Sequence, residues 1–190
     1  NAALQEFAEY GYDLASTNRI VQKAEIGKGM LFYYFTNKNE LYLYLVEYAI
    51  DVMKNNFFNL IETDEPDFIE RLRHITRLKM VFFVENPHVS NFIGTVYLED
   101  HVPLPARLEE QLVELQRMGY AKMYDKIDQT LLRDDIDPVK ALQLIRWAVE
   151  GYQQDLLNRL KGKNITSVNF EPYWSEFDSY LNLLKKVYYK

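Results

Sequence analysis

Cysteine is absent from all 190 residues, so neither a disulfide framework nor a thiolate metal site can form, and the composition suits a reducing cytoplasm. No apolar run approaches the roughly 18 residues of a membrane-spanning helix, and no stretch has the layout of a signal peptide. Glycine-rich phosphate loops, nucleophile elbows, internal repeats, low-complexity tracts and strand patterns are missing as well. Histidine is scarce, at His74, His88 and His101. Glu85 and His88 have the spacing of a di-iron helix, but Pro87 breaks the helix between them and the second copy that chemistry needs is absent. Glu70 and His74, four apart, read as a solvated pair on an amphipathic helix. Asn164-Ile165-Thr166 fits a glycosylation acceptor, yet nothing else points to secretion. These absences leave no catalytic residue, no metal site and no cofactor, and argue against an enzyme.

What is present is helical. With 48% apolar residues the chain can bury a sizeable core, as one large domain or as a small and a medium one. Leu4, Phe7, Ala8 and Gly11 make one buried face of a first helix that ends at Gly11. Asn37, with Glu40 three residues on, caps a long helix whose inner stripe is Leu45, Tyr48, Ala49 and Val52, running to about Phe58. Thr63 to Pro66 is a loop, and Phe68, Leu72, Ile75 and Phe82 mark a helix that stops before Pro87. A short helix spans Pro87 to Glu99. After Pro103 and Pro105, Leu108, Leu112, Leu115, Met118, Ile127 and Leu131 predict one long helix. Asp137-Pro138 opens another that reaches Lys161 and stops at Gly162, and a last helix covers Pro172 to Tyr189. The fold class is all-α.

The most informative stretch is Ser16 to Leu41. Ser16 can cap a short helix whose buried face is Ile20, Val21 and Ala24. After the turn Glu25-Ile26-Gly27, a second short helix starts near Lys28, with Leu31 and Phe35 on its inner side. Lys28, Gly29, Phe32 and Tyr33 are left pointing outwards, an odd set to expose unless a partner covers it. Two short helices braced across a turn match the helix-turn-helix that sets a recognition helix into a major groove; the plainer reading is a helical hairpin with core aromatics. Charge agrees with the first. Between Leu14 and Asn39 four cations stand against Glu25, a net of +3, which leaves −9 on the rest of a chain of net charge −6.

The runs Ala15-Ser16-Thr17-Asn18-x-Ile20-Val21, Lys28 to Phe35 (KGMLFYYF) and Asn37-Lys38-Asn39-Glu40-Leu41 resemble the N-terminal domain of the TetR/AcrR transcriptional repressors. The resemblance covers about Leu4 to Leu45. It implies an all-helical homodimer with a helix-turn-helix domain at 1–45 and a helical ligand-binding and dimerisation domain at 46–190. It assigns base-edge contacts to Lys28, Gly29, Phe32 and Tyr33, and phosphate contacts to Thr17, Tyr34 and Lys38, with Ser16 also among the DNA-binding residues. Those roles suit the chemistry, since Lys can donate to guanine, aromatics meet the thymine methyl, and hydroxyls and ammonium groups hold phosphates. Glu25 stands where the family has a glycine at a helix end, and Gly27 where it has a serine cap. The chain opens in mid-helix without a methionine, so residues ahead of Asn1 are expected, and in this family they carry basic charge.

Two patterns concern the rest of the chain. Leu142, Ile145, Val149, Tyr152 and Leu156, and then Tyr173, Phe177, Tyr180, Leu184 and Val187, follow heptad-like spacing suited to a four-helix bundle. Two helices from each of two chains would make that bundle; alternatively both seams face their own domain. Phe58, Phe82, Phe92, Tyr97, Tyr120, Tyr124 and Trp147 lie in the middle helices where the resemblance implies an inducer pocket. Such a pocket suits a flat or lipophilic molecule, although aromatics at helical spacing also serve as plain core. The reading is a dimeric, ligand-responsive repressor of a palindromic double-stranded DNA operator, released by a small-molecule inducer and not bound to membrane. The alternatives are the same scaffold without an inducer, and a helical carrier or enzyme with a non-functional head.

Overall fold

Capping chemistry sets where the helices begin. In the computed structural model, which describes residues 1–98, 102–160 and 168–190, the Ser16 hydroxyl accepts from Arg19 N (3.4 Å), Asn37 Oδ1 from Glu40 N (2.9 Å) and Asp137 Oδ1 from Val139 N (2.9 Å). Glu40 in turn reaches back to Thr36 N at 2.7 Å. The helices are α1 (Ala2–Leu14), α2 (Thr17–Lys23), α3 (Lys28–Tyr34), α4 (Lys38–Asn56), α5 (Phe68–Glu85), α6 (Pro87–Leu98), α7 (Ala106–Tyr124), α8 (Pro138–Leu160) and α9 (Glu171–Tyr188). Short 3-10 turns occupy Phe58–Leu60 and Gln129–Leu131. Among the described residues there is no strand, only an isolated bridge between Leu132 and Tyr189. The fold is all-α, as the periodicity indicates.

The chain divides into two compact units, one of Asn1–Leu60 with Glu85–Gly119, the other of Ile61–Val84 with Tyr120–Lys190. The first unit is built on α1, α4 and α6. Phe7, Tyr42 and Phe92 interlock there, with ring centroids 5.1 Å (Phe7–Tyr42), 5.6 Å (Tyr42–Phe92) and 6.2 Å (Phe7–Phe92) apart. Leu4, Leu41, Leu45, Val46, Ala49 and Ile50 complete this core, and α1 packs most extensively on α6. Arg107 and Glu47 tie α7 to α4 by a two-pronged ion pair (2.5 and 2.9 Å). Gly119 gives Phe58 its place, because a Cβ there would stand 3.3 Å from the ring.

The second unit has an apolar core of Phe68, Ile69, Leu72, Leu132, Ala141, Leu142, Ile145, Val149, Phe177 and Leu181. Arg71, fully buried on α5, is its one internal cation among the described residues. The guanidinium donates to the carbonyls of Thr63 (2.7 Å), Glu65 (2.9 Å) and Asp125 (2.5 Å), stitching the loop before α5 to the end of α7.

Several sequence expectations are corrected. Gly11 does not end α1: it is a kink with φ 70° and ψ 173°, open to glycine alone, and the helix resumes to Leu14. Ala24 and Tyr48 are exposed rather than buried, since α4 turns Leu41, Tyr42, Leu45, Val46, Ala49 and Ile50 inward. Ile127 and Leu131 do not extend α7, because Lys126 takes a left-handed backbone (φ 60°) just past Tyr124. Glu85 and His88 fall on different helices, and Glu70 is held by Arg73 (2.8 Å) and Lys185 (2.6 Å) rather than paired with His74. His101, the Glu99 helix end, the Lys161–Gly162 stop and the Asn164-Ile165-Thr166 site lie outside the described residues.

Candidate nucleic-acid interface

The turn between α2 and α3 shows how the motif is held. Ile26 N donates to Val21 O (3.0 Å) and Glu25 N to Gln22 O (3.2 Å), the paired bonds of a left-handed helix terminus. Glu25 occupies the left-handed position, with φ 56°, where glycine would carry no Cβ strain. Gly27 then opens α3 with extended backbone and no side-chain cap.

Helix α3 buries only Leu31. Phe35 lies past its end, half-buried against Tyr44 with ring centroids 5.3 Å apart. Everything else on α3 faces out. Tyr33 is 82% exposed and Tyr34 69%, their rings meeting edge-on at 5.1 Å, which orients both away from the protein. Lys28 leans over Phe32, 5.8 Å from its ring, and Gly29 is open on all sides. Ser16 and Thr17, at the start of α2, are half-buried. Lys28, Gly29, Phe32 and Tyr33 thus share one solvent-facing surface with Tyr34.

Lys38 is placed differently from its expected phosphate role. Its ammonium donates to the carbonyls of Tyr12 (2.8 Å), Asp13 (3.1 Å) and Ala15 (3.4 Å) and lies 4.7 Å from the Tyr12 ring. All three donors go to the exposed carbonyl end of α1, where a cation also meets the negative end of the helix dipole. A second clamp sits opposite. The buried Glu6 carboxylate accepts from Ser16 N (2.8 Å) and Arg19 Nε (2.7 Å), and Arg19 also donates to Leu14 O (2.8 Å). Burial works against the Glu6 charge, but Arg19 and the Ser16 N–H outweigh it and hold the pKa below the usual carboxylate value. Together Lys38 and Glu6 fix the start of α2 and the end of α1 against α4.

Of the aromatics proposed for a pocket, Phe58, Phe92 and Tyr97 belong to the first unit, and Phe82, Tyr120, Tyr124 and Trp147 to the second. Phe92 is core, Phe82 is buried, the Tyr120 and Tyr124 rings meet at a tilt of 38° (centroids 4.6 Å), and Trp147 is 56% exposed. Of the seam, Leu142, Ile145, Val149, Leu156 and Phe177 are buried in their own chain, and Tyr152, Tyr173 and Leu184 are half-buried. Tyr152 bonds Tyr173 O (2.8 Å) and stacks on Phe177. The period was real, but α8 and α9 use it on each other and on α5. Their outward side carries Leu144, Trp147 and Gly151 on α8 and Tyr180, Leu183 and Val187 on α9.

Comparison with known proteins decides the family. Residues 1–45 match the bacterial regulatory proteins of the tetR family, and residues 66–187 match the tetracyclin repressor-like C-terminal domain. The chain belongs to the TetR family. It is 22% identical over 131 residues to the uncharacterized HTH-type transcriptional regulator YhgD of Bacillus subtilis, covering 69% of this chain and 60% of that protein's length. A TetR family transcriptional regulator from Chloroflexus aurantiacus shares the fold at a TM-score of 0.68 and 24% identity, over 100% of this chain and 90% of that one. A gamma-butyrolactone receptor (ArpA-like protein) does so at 0.59 and 19%, over 97% and 92%.

In this TetR chain, sequence reasoning missed Met30, Glu6 and the clamp made by Lys38. Met30, 56% exposed beside Tyr33 and Tyr34, follows from Leu31 being the only inward residue of α3. Glu6 has the spacing of a core residue, next to Phe7, and only its acidity hid it. The carbonyl partners of Lys38 are 23 to 26 residues away, and no local pattern marks them.

Proposed function

We propose that this chain is a homodimeric, ligand-responsive transcriptional repressor that reads a palindromic operator through α3. The carrying observation is the outward surface of α3, where Lys28, Met30, Phe32, Tyr33 and Tyr34 stand exposed on a helix that buries one residue. Tyr33 and Met30 offer apolar contact to thymine methyls, Lys28 donates to guanine edges, and Gly29 lets the backbone approach the groove floor. Tyr34, Thr17 and the first turn of α2 take phosphates. Lys38 and Glu6 hold the two short helices in register rather than touching DNA.

Dimerisation is assigned to the outward side of α8 and α9. Leu144, Trp147, Gly151, Tyr180, Leu183 and Val187 make an apolar surface on two neighbouring helices, and Gly151 allows close approach. A homodimer carries two recognition helices, which matches an operator whose half-sites lie about one helical turn, 34–36 Å, apart. The fold neighbour described as a gamma-butyrolactone receptor supports a small-molecule signal. That signal reaches DNA as a population shift between a dimer at operator spacing and one away from it.

Selection of bound duplexes from a randomised DNA pool tests this reading. An enriched palindrome with half-sites about one helical turn apart supports it. Absence of enrichment at low salt overturns it and leaves the head without a DNA role.

A further inference from the structure

The second unit contains a cavity of about 70 Å³ between α5, α8 and α9, lined by none of the seven aromatics chosen from the sequence. Its apolar wall is Met80 and Phe83 from α5, Leu156 and Leu157 from α8, and Trp174 from α9. Along one side runs a polar ladder. The Lys79 ammonium donates to the Gln153 amide oxygen (3.1 Å), and the Gln153 amide nitrogen donates to Thr76 Oγ1 (3.0 Å). Thr76 is buried, which fixes the amide orientation from below. Among the described residues that one oxygen takes only one of the three donors of Lys79, and no carboxylate bonds it. Glu150, the acid acting on it from further away, is itself held by Arg146 at 2.6 Å. Lys79 is exposed as a residue, yet the protein atoms around it desolvate its charge enough to lower its pKa.

We propose that this cavity binds a small monocarboxylate, with the carboxylate on the Lys79 ammonium and the hydrocarbon body against Met80, Phe83, Leu156 and Trp174. A cation with two spare donors at the edge of an apolar wall selects for one negative charge joined to an apolar body. A cationic ligand would meet Lys79 as a like charge. A neutral one would leave the donors unused. A dianionic phosphate would need more donors than this ladder presents. Size narrows the class further: the cavity lies far below the ~300–1,000 Å³ of sites for drug-sized ligands, so the body is a short, slender chain. The inference rests on the ligand-responsive reading above and specifies its signal. It also gives the signal a route along the chain. Lys79, Met80 and Phe83 occupy the last two turns of α5, and Pro87 opens α6, the helix on which α1 packs.

Hexanoate, with 1-hexanol as its neutral match, is the probe pair, titrated into the full chain by calorimetry and by tryptophan fluorescence. Trp174 is the reporter, since Trp147, the other of the two tryptophans, does not line the cavity. Hexanoate is expected to bind about tenfold or more tighter than hexanol and to change the emission of Trp174. Lys79→Met should bring the two within about twofold while hexanol binding is retained, which also reports a folded cavity. Equal binding of acid and alcohol to the unsubstituted chain, no binding of either, or a preference that survives Lys79→Met would each overturn the proposal. A parallel operator-binding assay separates it from the wider reading. Hexanoate that binds through Lys79 without loosening the DNA complex supports the site and removes its regulatory role. Operator release by a compound of another class, with hexanoate not bound, overturns the carboxylate site and leaves ligand response intact.

Discussion

The two units solve one problem with a cation, and they solve it differently. In the head, Lys38 holds three carbonyls at the end of α1 from a half-exposed position. In the second unit, Arg71 holds the carbonyls of Thr63, Glu65 and Asp125 from a fully buried one. Lys38 stands half in water, whereas the Arg71 side chain is shut away from it. The head is therefore a set of short helices pinned at their ends by polar bonds, and its apolar surface is free to meet DNA. The second unit is an apolar core organised around one guanidinium, and little of it can change without loss of the fold.

The largest effect expected from this contrast is at Arg71. Arg71→Met removes the donor shared by the carbonyls of Thr63, Glu65 and Asp125 and should destabilise the chain by about 3–5 kcal/mol in urea unfolding. Burial lowers the Arg71 pKa, but a guanidinium stays charged at any usable pH, so the loss should hardly depend on pH. A cost below about 1 kcal/mol would mean that water enters the site, and the distinction between the units would collapse.

Tyr33 probes the opposite end of the comparison. With 82% of its surface exposed, Tyr33→Ala should leave stability within about 0.5 kcal/mol. It should weaken specific DNA binding by about 1–3 kcal/mol, measured against random duplex at fixed salt. Equal weakening on both would take Tyr33 off the list of base readers. Lys38→Ala should fall between the two, costing about 1 kcal/mol of stability for bonds that water partly replaces. Because its donors face protein, the salt slope of DNA binding should not move. A slope that falls by about one unit would return Lys38 to the phosphate role that the family resemblance assigns.

The fold was legible wherever local chemistry decides it. Ser16, Asn37 and Asp137 announce their helices, and the stretch from Ser16 to Leu41 carries its family in order and spacing. The errors share a physical cause. Heptad spacing on α8 and α9 says that one side of each helix is buried, not whether the partner is the same chain or a second copy; here Leu142, Ile145, Val149 and Phe177 are buried in their own chain, while Tyr180 and Val187 of the same seam stay exposed. Aromatics are equally mute about pockets: Phe92 interlocks with Phe7 and Tyr42, while an apolar cavity with a charged edge is marked by Lys79 and Gln153, which look like surface residues. A lysine near a recognition helix suits phosphate chemistry, and the carbonyl partners that Lys38 also has become visible only in three dimensions.

The smallest effect, at Glu25, separates two contributions that coincide in one residue. Its left-handed backbone costs on the order of 1 kcal/mol relative to glycine, and its carboxylate brings negative charge towards DNA. Glu25→Gly should therefore stabilise the head by about 1 kcal/mol and also tighten DNA binding at low salt. Glu25→Ala removes the charge but keeps the Cβ in the strained position, so it should tighten binding without the gain in stability. If both variants stabilise alike, strain is not what Glu25 contributes, and the Ile26–Val21 and Glu25–Gln22 bonds tolerate a side chain at no cost. If neither alters DNA binding while both fold normally, the turn lies too far from phosphate for its charge to matter, and the head gains nothing from the glycine its family keeps there.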